Sequence, residues 1–212
     1  MKPWLDSFWA TFNQTYKSHD ILYDCATGVI PDRIEVLYLP VLPFGDKSPK
    51  IDAHAYVSPQ ATIVGDVEIG AGASIWPGAV IRGDQASVRI GENTCIQDSV
   101  VIHAHNEENP AIIGNNVIIS TATAVHGVYI GDSVNIGEGC VVFDGATLGE
   151  GVSLAPGSIV PPNIVIPPRT LSSGAPAAQI REISREEVEK HTIRAETITQ
   201  IFMKLKRWQH ST

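Results

Sequence analysis

An aliphatic residue returns at every sixth position along most of this chain. The series runs Ile51, Val57, Ile63, Ile69, Ile75 and Ile81, resumes at Ile90, Ile96 and Ile102, and again at Ile113, Ile119 and Val125. It continues through Ile130, Ile136, Val142, Leu148, Leu154, Val160 and Ile166. A fixed internal period sets the architecture before any local propensity does. Each hexad predicts a short strand and a corner, and three hexads make one triangular coil. The repeated aliphatic then points inward and stacks on its equivalents in neighbouring coils. Gly, Asn and Asp after the aliphatic, as in IGDS, IGEG and LGEG, predict tight corners. The expectation is an all-β solenoid, a parallel β-helix, over residues 51–183.

The register breaks three times. Six residues become nine between Ile81 and Ile90, eleven between Ile102 and Ile113, and five between Val125 and Ile130. The eleven-residue step contains AHNEENPA, a polar insertion that must leave the coil as a loop. Departures of this kind in a solenoid mark places where a site or an interface is built.

Helical spacing appears only at the ends. Residues 1–50 carry Leu5, Phe8, Trp9, Phe12 and Tyr16 on one face, which predicts an amphipathic helix in an N-terminal extension. Its aromatic stripe must dock on the solenoid, a partner subunit or a membrane surface. Residues 184–212 predict a C-terminal helix. Ser184 and Glu187 form a capping signature, and Val188, Ala195, Ile198, Phe202 and Leu205 follow at helical spacing.

Composition narrows the class. Charged residues make up 18% and aromatic residues 7%, against 18 Gly and 14 Pro, which suits an interior of small aliphatic side chains. A net charge of −8 argues against a nucleic-acid partner, whose phosphates need a basic surface. No run of 18 apolar residues predicts a membrane span, and no stretch reads as a secretory signal. The three cysteines, Cys25, Cys95 and Cys140, are far apart and odd in number, which suits a reducing compartment better than a disulfide framework.

The breaks coincide with a resemblance. IRGDQASVRIGENTCIQDSVVIHAH is similar to the IRGD…NIQD…LH stretch of γ-class carbonic anhydrases. ISTATAVHGVYIGDSVNIGEGCVVFDGA resembles their GHxxxxHG motif and the hexads after it, and GAPAAQIR resembles the segment that closes the coil. The resemblance, over roughly residues 51–185, implies a left-handed β-helix assembled as a trimer. It also implies zinc held by three His at subunit interfaces, two from one chain and one from its neighbour. The two donated together match His103 and His126; the third position holds Thr121.

Catalytic zinc takes three protein ligands plus water and lowers the water pKa to about 7, and a Thr hydroxyl is a poor ligand at neutral pH. The resemblance therefore implies an incomplete site in a homotrimer, with zinc only where a paralogous neighbour supplies the missing His. His105 shares a strand side with His103 and reaches a metal only if the loop folds inward; its bland reading is a solvated loop residue. Arg82 and Asp84 match a pair that is inter-subunit in the family, Gln97 the residue orienting the bound hydroxide, and Asp98 its follower. Cys95 stands where the family has Asn, and Glu107 and Glu108 resemble an acidic loop or are plain solvating charges.

Three functions follow from these residues. The first is a mainly structural γ-carbonic-anhydrase-like subunit of a homo- or heterotrimer with its paralogues. It would sit on the membrane arm of mitochondrial respiratory complex I, on the matrix side of the inner membrane, with membrane contact through the N-terminal helix. The second is an active zinc carbonic anhydrase, mitochondrial or cytoplasmic, and the third a hexapeptide acyltransferase using His103 or His126 as base.

Overall fold

The computed structural model describes the backbone of residues 40–209 and the side chains of residues 40–204. The expected N-terminal helix with Leu5, Phe8, Trp9, Phe12 and Tyr16 lies outside the described residues, as do the side chains of Leu205 and Trp208.

The hexads form the predicted parallel β-solenoid, of short strands such as β13 (Asn135–Ile136), β14 (Val141–Val142) and β15 (Thr147–Leu148). Every repeated aliphatic from Ile63 to Ile166 is at most 4% exposed, and only Ile51 and Val57 at the open end are half-buried. Two residues earlier in many hexads comes a second inward position, held by small side chains such as Ala61, Ala73, Ala79, Val117, Cys140 and Ala146. A triangular coil leaves room for one branched and one small side chain per face, which accounts for the few aromatics.

The hexad corners turn on residues in the left-handed region, three positions after the aliphatic. Asn93, Asn116, Ser133 and Gly139 have φ of 52°, 56°, 56° and 64°. The glycine directly after the aliphatic has another role. A Cβ on Gly91 would lie 2.5 Å from the Gly114 carbonyl oxygen, and one on Gly114 would lie 2.8 Å from the Gly131 carbonyl carbon. These glycines let successive coils approach rather than turn, a correction to the expectation that they make the corner.

Eight strands form one face, in the order Ala178–Glu182, Thr170–Ser173, Ser153–Leu154, β13, Ile118–Ile119, Cys95–Ile96, Ser74–Ile75 and Tyr56–Val57, and the other two faces merge into a 12-stranded sheet. They merge because β4 (Thr62–Ile69) and β6 (Val80–Ile90) run straight through a corner. The nine-residue step is thus a bulge: Gly65 pairs with Gly83 and Val67 with Val88, so the extra residues of β6 oppose Asp66. Pairing begins upstream of Ile51, since β1 (Val41–Leu42) lies parallel to β4 with Val41 opposite Ile63.

Helix α1 (Arg185–Gln209) covers the eight-stranded face. Its capping box forms as expected: the Glu187 N–H donates to Ser184 Oγ at 3.2 Å, and the Ser184 N–H to Glu187 Oε2 at 3.1 Å. Ala195 and Ile198 pack on Cys95, Ile118 and Trp76, and Phe202 meets Tyr56 and Trp76 at centroid distances of 5.1 and 4.5 Å. No described helix is long and apolar enough to cross a membrane.

Candidate metal centre

Strands β8 (Val101–His103) and β11 (Ala124–His126) are adjacent and parallel, with His103 directly opposite His126. Arg82 on β6 is opposite His103 on its other side. Residues that follow an inward aliphatic by one position point outward, so Arg82, His103 and His126 make a ladder on the outside of the coil. Phe143 belongs to the next coil and stacks on His126, with centroids 5.6 Å apart and planes 12° from parallel. The hexad alignment of Val142 with Val125 could have found this contact from sequence.

The polar insertion folds back toward this ladder. The Asn109 N–H donates to Asn106 Oδ1 at 2.9 Å, which closes the loop on itself. The Asn109 carbonyl then packs so tightly on Gly127, the neighbour of His126, that no Cβ fits there. His105 is thereby returned over the strands. Its Nε2 lies 3.0 Å from His103 Nε2, and its ring centroid is 5.8 Å from that of His126. One ring nitrogen from each of His103, His105 and His126 lies within 4.8 Å of the others.

That arrangement fits zinc. Imidazole nitrogens at about 2.0–2.1 Å around a tetrahedral ion are roughly 3.3 Å from one another; the His103–His105 pair is near that spacing at 3.0 Å, and the His126 nitrogen lies within 4.8 Å of both. Burial first, then the charges of His126, His105 and Arg82, hold the His103 pKa below its ordinary value. Burial also lowers that of His126, with Asp144 opposing it. Both shifts favour the neutral ring, the state in which imidazole is a ligand. His103 Nδ1, Asp84 Oδ1 and Asp144 Oδ1 are buried and find no hydrogen-bond partner among the described residues.

The other expected residues divide. Arg82 Nη2 donates to Asp84 Oδ2 of the same chain at 2.6 Å, because i and i+2 on a strand share a side; the family's pairing is across subunits. Burial works to raise the Asp84 pKa, but its hydrogen bond and charge contact with Arg82 hold it below the usual carboxylate range. Gln97 and Thr121 stand on the corner that precedes β8 and β11. Gln97 Oε1 accepts from the Thr121 N–H at 3.3 Å, and none of the described hydrogen bonds joins either residue to a His. Asp98 accepts the Ala122 N–H through its backbone carbonyl at 3.0 Å. Cys95 is buried under α1, and burial pushes its thiol pKa up to about 12. Glu107 and Glu108 are exposed on the loop.

Residues 48–83 match the family model described as bacterial transferase hexapeptide (six repeats). A carbonic anhydrase of Geobacillus kaustophilus is 38% identical over 159 residues, which cover 74% of this chain and 87% of that protein. The mitochondrial γ carbonic anhydrase 1 of Arabidopsis thaliana is 42% identical over 92 residues, 41% of this chain. The match spans only about a third of the length of that protein and of its two mitochondrial counterparts. Among solved structures, a hexapeptide transferase family protein from Anaplasma phagocytophilum superposes with a TM-score of 0.71 at 32% identity, covering 80% of this chain and 97% of the other. With the repeat, the outward His pair and a relative matched over most of its length, the chain belongs to the γ-carbonic-anhydrase-like family.

Proposed function

We propose that this chain is a γ-carbonic-anhydrase-like subunit of a homo- or heterotrimer with its paralogues. In this reading its main role is assembly, on the matrix side of the inner mitochondrial membrane at the membrane arm of respiratory complex I. The observation that carries the reading is the division of the family's ligand set. His103 and His126 stand together on one ladder, while Thr121, at the family's cross-subunit position, sits on another corner tied to Gln97. A neighbour of the same sequence therefore offers a hydroxyl where the family offers an imidazole. Zinc, where the assembly holds it, takes His103 and His126 from this chain.

Two further features support the assembly and its location. Ile112, Tyr129 and Val165 stand on one outward row of paired strands, with Thr147 between the last two, and Tyr129 and Val165 are 54% and 68% exposed. Apolar side chains aligned in this way suit an interface between subunits. The mitochondrial relatives support the location.

Native electrophoresis of mitochondrial membranes, followed by mass spectrometry, tests the proposal. The chain should migrate with respiratory complex I and with γ-carbonic-anhydrase paralogues. A free homotrimer with carbon dioxide hydration activity would restore the enzymatic reading instead.

A further inference from the structure

The loop of residues 104–110 changes what the loss at position 121 means. We infer that His103, His105 and His126 of one chain form a complete three-nitrogen site for a divalent cation of the zinc type, with His105 in place of the cross-subunit ligand.

The argument begins with how His105 is held. A free eleven-residue step would leave this imidazole in solvent. Here Asn109 closes the loop and lies against Gly127, so the loop's end is fixed to the residue beside His126. The His105 ring meets the His103 ring edge-on at a centroid distance of 4.2 Å and lies 17° from parallel with that of His126. Two strand residues in register and one loop residue above them give three nitrogens converging from different directions. Strand pairs alone place donors only in a row. Phe143 supports the far side of His126 and limits its rotation.

Borderline-soft zinc is the best match to three imidazole nitrogens, and three protein ligands leave a fourth position open for water or an anion. Oxygen-seeking cations such as magnesium and calcium do not suit this donor set. The alternative occupant of the geometry is a hydrogen: one Nε2 donating to the other at 3.0 Å, with no ion. The inference rests on the family reading only in naming Thr121 as the position replaced.

The test uses the purified full-length chain in its own oligomer, stripped with chelator and titrated with zinc alone. Elemental analysis gives stoichiometry, and the ligand-field spectrum of the cobalt form gives coordination. One ion per chain is expected, with a tetrahedral nitrogen-rich spectrum. H105A and H126A should each weaken binding by about 100-fold or more, beyond the 10–100-fold typical of outer-shell changes. T121A should stay within about 3-fold of the parent, since Thr121 is not a ligand in this arrangement. Thermal melts of the stripped proteins establish that each variant is folded.

Absence of stoichiometric zinc in the parent, or parent-like binding by H105A, overturns the inference. So does loss of binding in T121A. Zinc binding by T121H but not by the parent would also overturn it and leave the family reading intact. Migration with partner subunits is measured separately, so failure of the metal site and failure of the subunit reading remain distinct results.

Discussion

The coils from Ile130 to Ile166 and those from Ile81 to Ile130 differ in regularity but not in their interior. In the first set the aliphatic returns every six residues without exception; in the second the step is nine, eleven and five at the three breaks. Yet Ile81, Ile102 and Val125 are as fully buried as Ile136, Val142 and Leu148. All the irregularity is exported outward, as the bulge in β6, the His105 loop and the short step past Gly127. The solenoid keeps its stack intact and builds chemistry on its outer surface, so stability and site are separable here to an unusual degree.

The sharpest way to break that comparison is to cut the stack in both regions. Ile136→Ala and Ile102→Ala should each cost about 2–5 kcal/mol in denaturant unfolding, the range for removing most of a buried aliphatic side chain. H105A should change stability by no more than about 0.5 kcal/mol in the stripped protein, because its ring is exposed outside the core. A mild Ile102→Ala beside a severe Ile136→Ala would mean that the irregular coils already pack loosely.

The glycines give a second, smaller contrast. Gly114→Ala forces a methyl to 2.8 Å from the next coil's backbone and should cost about 1–3 kcal/mol. Gly139→Ala meets no atom within 4 Å and faces only its positive φ, at about 1–2 kcal/mol. Equal losses would show that conformational strain, not close approach of coils, governs both kinds of glycine.

These outcomes bear on what the sequence could say. The period-six aliphatics alone specified the stack, because nearly all of them face another aliphatic at the equivalent position one coil away. The family resemblance, not the period, paired His103 with His126, and the strand register sets them opposite each other. Neither could place His105, whose position depends on Asn109 meeting Gly127 across the loop, a contact with no period to announce it. The same limit hid the strand at Val41–Leu42, which pairs with β4 after a ten-residue step that matches no hexad. The corner residues were misassigned because glycine serves two purposes in one hexad, and only the backbone angles separate them.

Acid should act on the regular half through α1. Burial holds the His191 pKa below its ordinary value, with hydrogen bonding at Ser133 and the Glu187 charge opposing it. The folded chain keeps this ring neutral at pH values where the unfolded chain, with an ordinary His pKa of about 6.5, takes up a proton. Stability is therefore full above the unfolded pKa and falls as pH drops through the folded one. The unfolding midpoint should fall between about pH 7.5 and about pH 5.5, and fall less in H191Q. His103 and His126 titrate in the same sense and remain in that variant, so the slope should shrink without vanishing. An unchanged slope would place the pH sensitivity wholly in the irregular coils.

The smallest effect is a difference in rate between two thiols, one on each side of the comparison. Cys95 in β7 (Cys95–Ile96) lies outside the stack and beneath α1, while Cys140 occupies an inward position within it. Burial raises both pKa values, that of Cys95 to about 12. The thiolate is the reacting species, so neither should be alkylated at pH 8 without prior opening. Exposing Cys95 requires only that α1 lift off Trp76 and Ile118, whereas exposing Cys140 requires the coils themselves to part. Local openings that break fewer apolar contacts cost less free energy. Under native conditions Cys95 should therefore be labelled ahead of Cys140, as read by mass spectrometry of peptides over time. Simultaneous labelling would show that helix and solenoid open as one unit, and that the boundary between a rigid stack and a separable exterior excludes α1.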